Sequence, residues 1–221
     1  MRSSRARRWL GLGLLVAGAA PASGCYTFCD GSQTFAAAEA GDLDAIYELG
    51  EWADPRVPSS KGAVKRVEEA YALLSGLLAA EDPAVRATAF ESARRLVRRS
   101  RPIYRDKFPA LLDPFLVDPD PWFQWRTAWT LGDLELTRPA LRALVADPDV
   151  RVARWAAWAL GRARDDQATM ALVGALDRSI EVAEAAAAAL DRIHGTNLGD
   201  PAAWRERAAE SGLVPRKTGP R

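Results

Sequence analysis

The residues of this chain best suited to binding chemistry are tryptophans and arginines that alternate at short spacing. Eight tryptophans occur in 221 residues, and Trp122, Trp125, Trp129, Trp155 and Trp158 crowd two segments that also hold Arg126 and Arg154. An indole carries a negative π face, so a guanidinium over it is attracted by about 0.5 to 1 kcal/mol where both are exposed. A second concentration, ARRLVRRSRPIYRDK, sets Arg94, Arg95, Arg98, Arg99, Arg101, Arg105 and Lys107 against the single acid Asp106. It reads either as the solvated end of a helix, where cations meet the negative pole of the backbone dipole, or as a surface for lipid head groups, acidic glycans or an acidic protein. The candidate binding residues are accordingly Trp122, Trp125, Arg126, Arg154, Trp155, Arg94, Arg95, Arg98 and Arg99.

Catalytic side chains are scarce. His194 is the only histidine, and it precedes Gly195 at a helix end, where a cap or a dipole contact accounts for it. Most of the prominent aspartates precede proline and are occupied as helix caps; Asp118 with Asp120 offers too few carboxylates for a calcium loop. The sequence contains no Gly-rich phosphate loop, no Cys/His metal spacing and no Gly-x-Ser-x-Gly elbow. Neither catalysis nor a metal or cofactor is expected, and binding is the default function.

The two tryptophan segments are one segment written twice. DPDPWFQWRTAWTLGD from Asp118 and DPDVRVARWAAWALGR from Asp147 share seven identities at a constant offset of 29 residues. Self-similarity at a period of roughly 20 to 50 residues marks a solenoid whose units bury their apolar faces against their neighbours. Trp129 and Trp158 are equivalent, with Ala188 next, and are expected to form a core column; Leu131, Leu160 and Leu190 form another. Trp125 aligns with Arg154 and Arg126 with Trp155, an exchange expected to set guanidinium beside indole across adjacent repeats, or else to expose an aromatic patch for a ligand. Trp122, after two prolines, is expected to be the most exposed ring.

The helices follow from periodicity and punctuation. A first runs from about Thr34 to Trp52, and a loop (ADPRVPSSKG) follows. A second starts at Ala63, with Val64, Val67, Tyr71, Leu74 and Leu78 as its buried stripe. Thereafter helices come in pairs, the first of each announced by Asp82-Pro83, Asp118 to Pro121, Asp147-Pro148 or Asp177, because Asp accepts from first-turn amides and Pro has none to leave unpaired. The second helices are expected at about Asp106 to Leu116, Arg138 to Ala146 and Gln167 to Leu176. Short loops make successive helices antiparallel neighbours.

Residues 1–24 read as an export signal: Arg2, Arg5, Arg7 and Arg8 precede an apolar stretch from Trp9 to Ala20 and then small residues up to Cys25. The stretch is about half of the ~20 residues needed to span a bilayer. Ala22, Ser23, Gly24 and Cys25 resemble a bacterial lipobox, which implies cleavage before Cys25 and lipid on its sulfur; Ala22 stands where the pattern usually has Leu. The alternative is ordinary secretion, with Cys25 and Cys29 left to pair; Arg7-Arg8 also begins, without completing, a twin-arginine motif. With no acid directly after Cys25, the resemblance implies transport to the outer membrane, facing the periplasm, where the host has one. The leader removes four of 30 basic residues and leaves 26 against 29 acids, a net charge near −3 that disfavours nucleic acid as a partner.

DPDVRVARWAAWALGR also resembles the first helix of a HEAT repeat of the short bacterial kind found in phycobilisome-lyase-like proteins, through its Asp-Pro start, Val150, Arg151, Ala157 and Leu160-Gly161. LDRIHGTNLGDPAAWRERAAE resembles the closing segment of lipid-anchored bacterial HEAT proteins, with Trp204 present and Arg207 where such tails often carry a second Trp. The resemblance implies an all-α, HEAT-type α-solenoid of antiparallel helical pairs. The expected organisation is signal 1–24, lipidated tether 25–33, N-terminal helical pair 34–80, repeat domain with cap helix 81–212 and tail 213–221. The expected role is a lipid-anchored, non-catalytic scaffold at the bacterial envelope, attached to the membrane through its lipid and binding a protein or anionic envelope ligand. The alternatives are an enzyme of HEAT-like lyase or glycosylase type and a purely structural envelope component.

Overall fold

A computed structural model describes residues 32–52, 61–99 and 107–212. The signal, Cys25 and Cys29, nearly all of the tether, most of the loop after Trp52, Arg101, Arg105, Asp106 and the tail lie outside the described residues. Among the described residues there are ten α-helices and no strand: α1 (Ser32–Glu39), α2 (Leu43–Leu49), α3 (Lys61–Leu77), α4 (Pro83–Arg99), α5 (Pro121–Asp133), α6 (Pro139–Leu144), α7 (Val150–Arg162), α8 (Thr169–Ala175), α9 (Ile180–His194) and α10 (Pro201–Glu210). None of them is long and apolar enough to cross a membrane.

Helix starts have local causes, some of them two residues from the expected one. Asp82 accepts from the amides of Ala84 and Val85 at 2.7 and 3.2 Å, and Asp120 from that of Trp122 at 2.8 Å. At α7 the cap is Asp149, which accepts from Arg151 and Val152, while Asp147 holds the preceding turn by accepting from the Asp149 amide at 2.8 Å. Asp177 does not cap α9. Ser179 precedes that helix, and the Asp177 carboxylate instead pairs with Arg205 of α10 at 2.9 Å.

The expected single helix from Thr34 to Trp52 is two, because Gly41 takes a φ of +89° and Asp42 then caps α2 through the Ala45 amide. The expected helix from Asp106 to Leu116 is a pair of 3-10 turns, Phe108–Leu111 and Asp113–Val117. Pro109 and Pro114 lack the amides that an α-helix there would need. In α3, Val67 and Leu74 are buried but Val64 is exposed, so the apolar stripe begins a turn later than its spacing indicates.

The first helices stack side by side, α2 on α4, α5 on α7 and α7 on α9, with α3, the 3-10 turns, α6 and α8 behind them. The N-terminal core is aromatic, built on Phe90 among Phe115, Phe123 and Trp122. The C-terminal core is alanine and leucine, with Leu131, Leu160 and Leu190 fully buried. Alanines bring the helices close, so tryptophan is displaced to the rim of the stack. α10 closes the end: Trp204 is buried and its indole N–H donates to Asp191 at 3.2 Å.

Candidate functional site

Glycines set the helix spacing at three of the stacked interfaces. A Cβ on Gly50 would lie 2.6 Å from the Ser92 carbonyl of α4, one on Gly132 2.8 Å from the Ala159 Cα of α7, and one on Gly161 2.6 Å from the Ala189 Cα of α9. Gly132 and Gly161 both stand twelve residues after their helix cap and face the tenth residue after the next cap. Counted from Asp82, the twelfth residue of the preceding repeat is Arg94. Its tenth-position neighbour on α5 is Thr130, whose Oγ accepts from Arg94 Nε at 2.7 Å. A guanidinium thus stands where the next two repeats have a hydrogen atom, and α5 lies less closely on α4 than on α7.

The gap is a groove of about 330 Å³ lined by Glu91, Arg94, Arg95 and Arg98 of α4, Trp125, Arg126 and Trp129 of α5, and Trp155 of α7. Clefts of about 300 to 1,000 Å³ are the usual size of ligand sites. Six of the nine candidate binding residues are brought together here: Arg94, Arg95, Arg98, Trp125, Arg126 and Trp155. Arg99 turns to Glu51, Arg154 lies on its own neighbour Trp155, and Trp122 packs between Phe90 and Phe123. Trp122 is therefore half-buried, contrary to its expected exposure, because the aromatic core of the preceding repeat reaches up to it.

Two residues of the groove were not among those candidates. Trp129, expected in the core, is half-buried in the wall with the guanidinium groups of Arg94 and Arg98 over its ring at 4.8 and 4.9 Å. Its equivalent Trp158 is likewise half-buried and covers Gly132, and Ala188 is exposed, so this column runs along the rim. Glu91 is the other: its carboxylate accepts from Arg94 Nη1 at 2.6 Å and from Arg126 Nε at 2.5 Å. Its bridging role depends on Arg126, 35 residues away in the next repeat, and leaves no signal in the sequence.

The expected exchange of guanidinium and indole across repeats does not occur. Arg126 lies over Trp122 and Trp125 of its own helix, at 4.7 and 5.2 Å, and the cross-repeat contact is between rings, Trp125 on Trp155 at 6.4 Å and 26°. Trp122 lies one helical turn before Arg126, which puts its ring within reach of the guanidinium along the same helix.

The basic run is extensively paired. Arg95 and Arg99 share Glu51, Arg98 meets Asp133 at 2.9 Å, and Lys107 meets Glu68. Arg94 is the exception in burial, with 5% of its surface accessible. Burial lowers its pKa from the ordinary guanidinium value, Glu91 opposes that shift, and the charges of Arg126 and Arg98 add to it. Arg94 remains a cation and is crowded by others. At the far wall, Trp125 Nε1 is buried without an acceptor. A buried donor left unpaired costs about 1 to 3 kcal/mol.

Other reactive types are dispersed. His194, exposed in the last turn of α9, lies 3.2 Å from Thr169 Oγ and 5.6 Å ring to ring from Trp204. Asp118 takes Arg86 and the Asp120 amide, and Asp120 is a cap. Among the described residues no three His, Cys, Asp or Glu side chains gather as a metal site.

Residues 108–191 match a family model described as HEAT repeats. No curated protein matches the chain in sequence. Among solved structures, an engineered protein is similar over 84% of this chain and 87% of its own, at 19% identity and a TM-score of 0.55. A designed armadillo repeat protein is similar over 82% of this chain and 89% of its own, at 16% identity and a TM-score of 0.53. The fold is therefore that of an all-α repeat solenoid of HEAT and armadillo type, carrying one opened interface between its α4 and α5 helices.

Proposed function

We propose that the protein is a non-catalytic interaction module, held at the bacterial envelope by lipid on Cys25, that presents the α4–α5 groove to a protein partner. The observation that carries this reading is the groove itself: a solenoid interface held open by a buried arginine and walled by three tryptophans. Repeat solenoids join stacked units into long surfaces suited to partner binding, and aromatic and arginine side chains in a concave, partly desolvated site are those that most often dominate binding energy. The anchor is supported by the arginines before the apolar stretch, by its shortness and by the small residues leading to Cys25. Facing the periplasm from the outer membrane is the arrangement that the absence of an acid after Cys25 favours.

The test uses the full chain in its native membrane with a photo-crosslinking residue in place of Trp155. A protein cross-linked there, and lost when Arg98 and Trp129 are replaced by Glu and Ala, is the expected result. Cross-linking that persists undiminished in that variant overturns the groove as the docking site. A turnover abolished by His194→Ala in a folded protein would replace the module with an enzyme.

A further inference from the structure

The groove's chemistry specifies its occupant more narrowly than its fold does. Four guanidinium groups line it, and the only acid among the lining residues is Glu91. Glu91 engages one nitrogen of Arg94 and one of Arg126, and Thr130 a second of Arg94. The bonds of Arg94 and Arg126 to Glu91 and Thr130 leave Arg94 Nη2 and both Nη atoms of Arg126 without an acceptor among the described residues, and Trp125 Nε1 is buried without one. Donors therefore outnumber acceptors in a partly desolvated groove, where an added anion is attracted more strongly than on an open surface. Burial lowers the pKa of both Arg94 and Arg95, and a further anion would offset that desolvation.

Each indole of the groove already has two partners. Trp129 has Arg94 and Arg98 over it, Trp125 has Arg126 and Trp155, and Trp155 has Trp125 and Arg154. Crowded rings beside open guanidinium donors favour carboxylates and apolar side chains over a sugar that needs a free face to stack on. A bilayer surface is flat, and the three indoles are half-buried within the groove, so a membrane would meet the rim alone.

We infer that the α4–α5 groove receives an extended acidic protein segment, one carboxylate seated beside Glu91 on Arg94 and Arg126 and an apolar or aromatic side chain against the edges of Trp125 and Trp155. This rests on the groove being the docking site. Arg94 has two linked roles: it holds the helices apart in place of the glycine, and it contributes a donor to the segment that enters.

The experiment is fluorescence polarisation with the lipid-anchored chain in detergent and a labelled peptide alternating glutamate with leucine and phenylalanine. The comparison probes are the same peptide with glutamine for glutamate, and phosphatidylglycerol vesicles. The acidic peptide should bind at least about tenfold more tightly than its glutamine version, a difference of about 1.4 kcal/mol, and should weaken as salt is raised. Replacing Arg98 and Arg126 together by Gln should reduce its affinity at least about tenfold with an unchanged melting curve, since both side chains are partly solvated and their pairs add little stability. Equal binding of the glutamine peptide, lost in the variant, overturns the acidic occupant and leaves the groove as the docking site. Acidic peptide bound equally by wild type and variant overturns both. Capture of vesicles with no affinity for the acidic peptide overturns the segment in favour of a membrane.

Discussion

Gly161→Ala is the sharpest test of how the repeats are spaced. Alanine is the better helix former by about 1 kcal/mol, so a helix judged alone gains from the change. In the stack, the new Cβ would stand 2.6 and 2.7 Å from the Cα and Cβ of Ala189, roughly 1 Å inside the ~3.5 to 4.0 Å carbon contact distance. The obstructing atoms are a helix Cα and the methyl carbon fixed to it, so no side-chain rotation relieves them, and α9 must move off α7 with Leu160 and Leu190 between them. Overpacking of this kind costs about 1 to 3 kcal/mol. Taking the upper end and subtracting the propensity gain leaves a net loss of about 2 kcal/mol, or about 4 to 8 °C in Tm for a domain of this size. Gly174 of α8 is the control, because a Cβ there meets nothing within 4 Å. Gly174→Ala should stabilise by up to about 1 kcal/mol. Urea denaturation followed by far-ultraviolet circular dichroism reads both. A Gly161→Ala protein as stable as wild type, or the same sign for both substitutions, would refute the claim that glycines set the interfaces.

Leu160→Ala removes a side chain with 0% exposure and should cost about 2 to 5 kcal/mol by calorimetry or urea midpoint, with hydrogen exchange rising in the adjoining repeats as well; an unchanged midpoint contradicts the register. Burial alone would raise the Asp165 pKa, but bonds from Arg142 and Thr137, the Arg142 charge and the Gln167 amide outweigh it and hold the group low. Its stabilisation is therefore intact above an unfolded pKa of about 3.9 and lost as pH falls through the lower folded value, so Asp165→Asn should be less stable at neutral pH and flatter in acid; an acid limb of wild-type steepness speaks against this. Intact mass of membrane-extracted protein should give a chain that starts at lipid-modified Cys25, and an unmodified cysteine or another start removes the anchor. Arg94→Met should weaken the acidic peptide while costing less than the ~3 to 5 kcal/mol usual for a broken buried pair, because Glu91 keeps Arg126; a greater loss in urea shows that Arg94 is chiefly structural.

What the sequence discloses of this protein is what repeats. The helix starts after Asp118 and the leucine column recur at spacings of 29 or 30 residues, and Leu131, Leu160 and Leu190 could be placed without a structure. Trp129 and Trp158 recur too, yet recurrence says only that two residues share an environment, and theirs is the rim. The distinction is steric: alanines at neighbouring positions draw α7 and α9 too close to admit an indole. Pairings between repeats were the least legible, because Glu91 with Arg126 or Glu51 with Arg95 depends on side-chain reach across an interface and leaves no period in the chain. The turns at Pro109 and Pro114 were legible in principle, since each proline removes an amide that the expected helix would have used.

The position of Arg94 joins these levels. Twelve residues after its cap, a glycine would have closed α4 on α5 as it closes α5 on α7 and α7 on α9. The buried cation there makes the stack less close, and Glu91 and Thr130 limit its desolvation cost without using all of its donors. At the last repeat the same position is Asp191, which has no further first helix to meet and instead gathers Thr196, the Leu198 and Gly199 amides and Trp204 of the cap helix. One counting position therefore closes the stack where it is glycine, terminates it where it is aspartate and opens it where it is arginine. The opened interface is also the one lined by the tryptophans, and that coincidence of the spacer with aromatic and cationic side chains is the physical reason for proposing the groove as the docking surface of the solenoid.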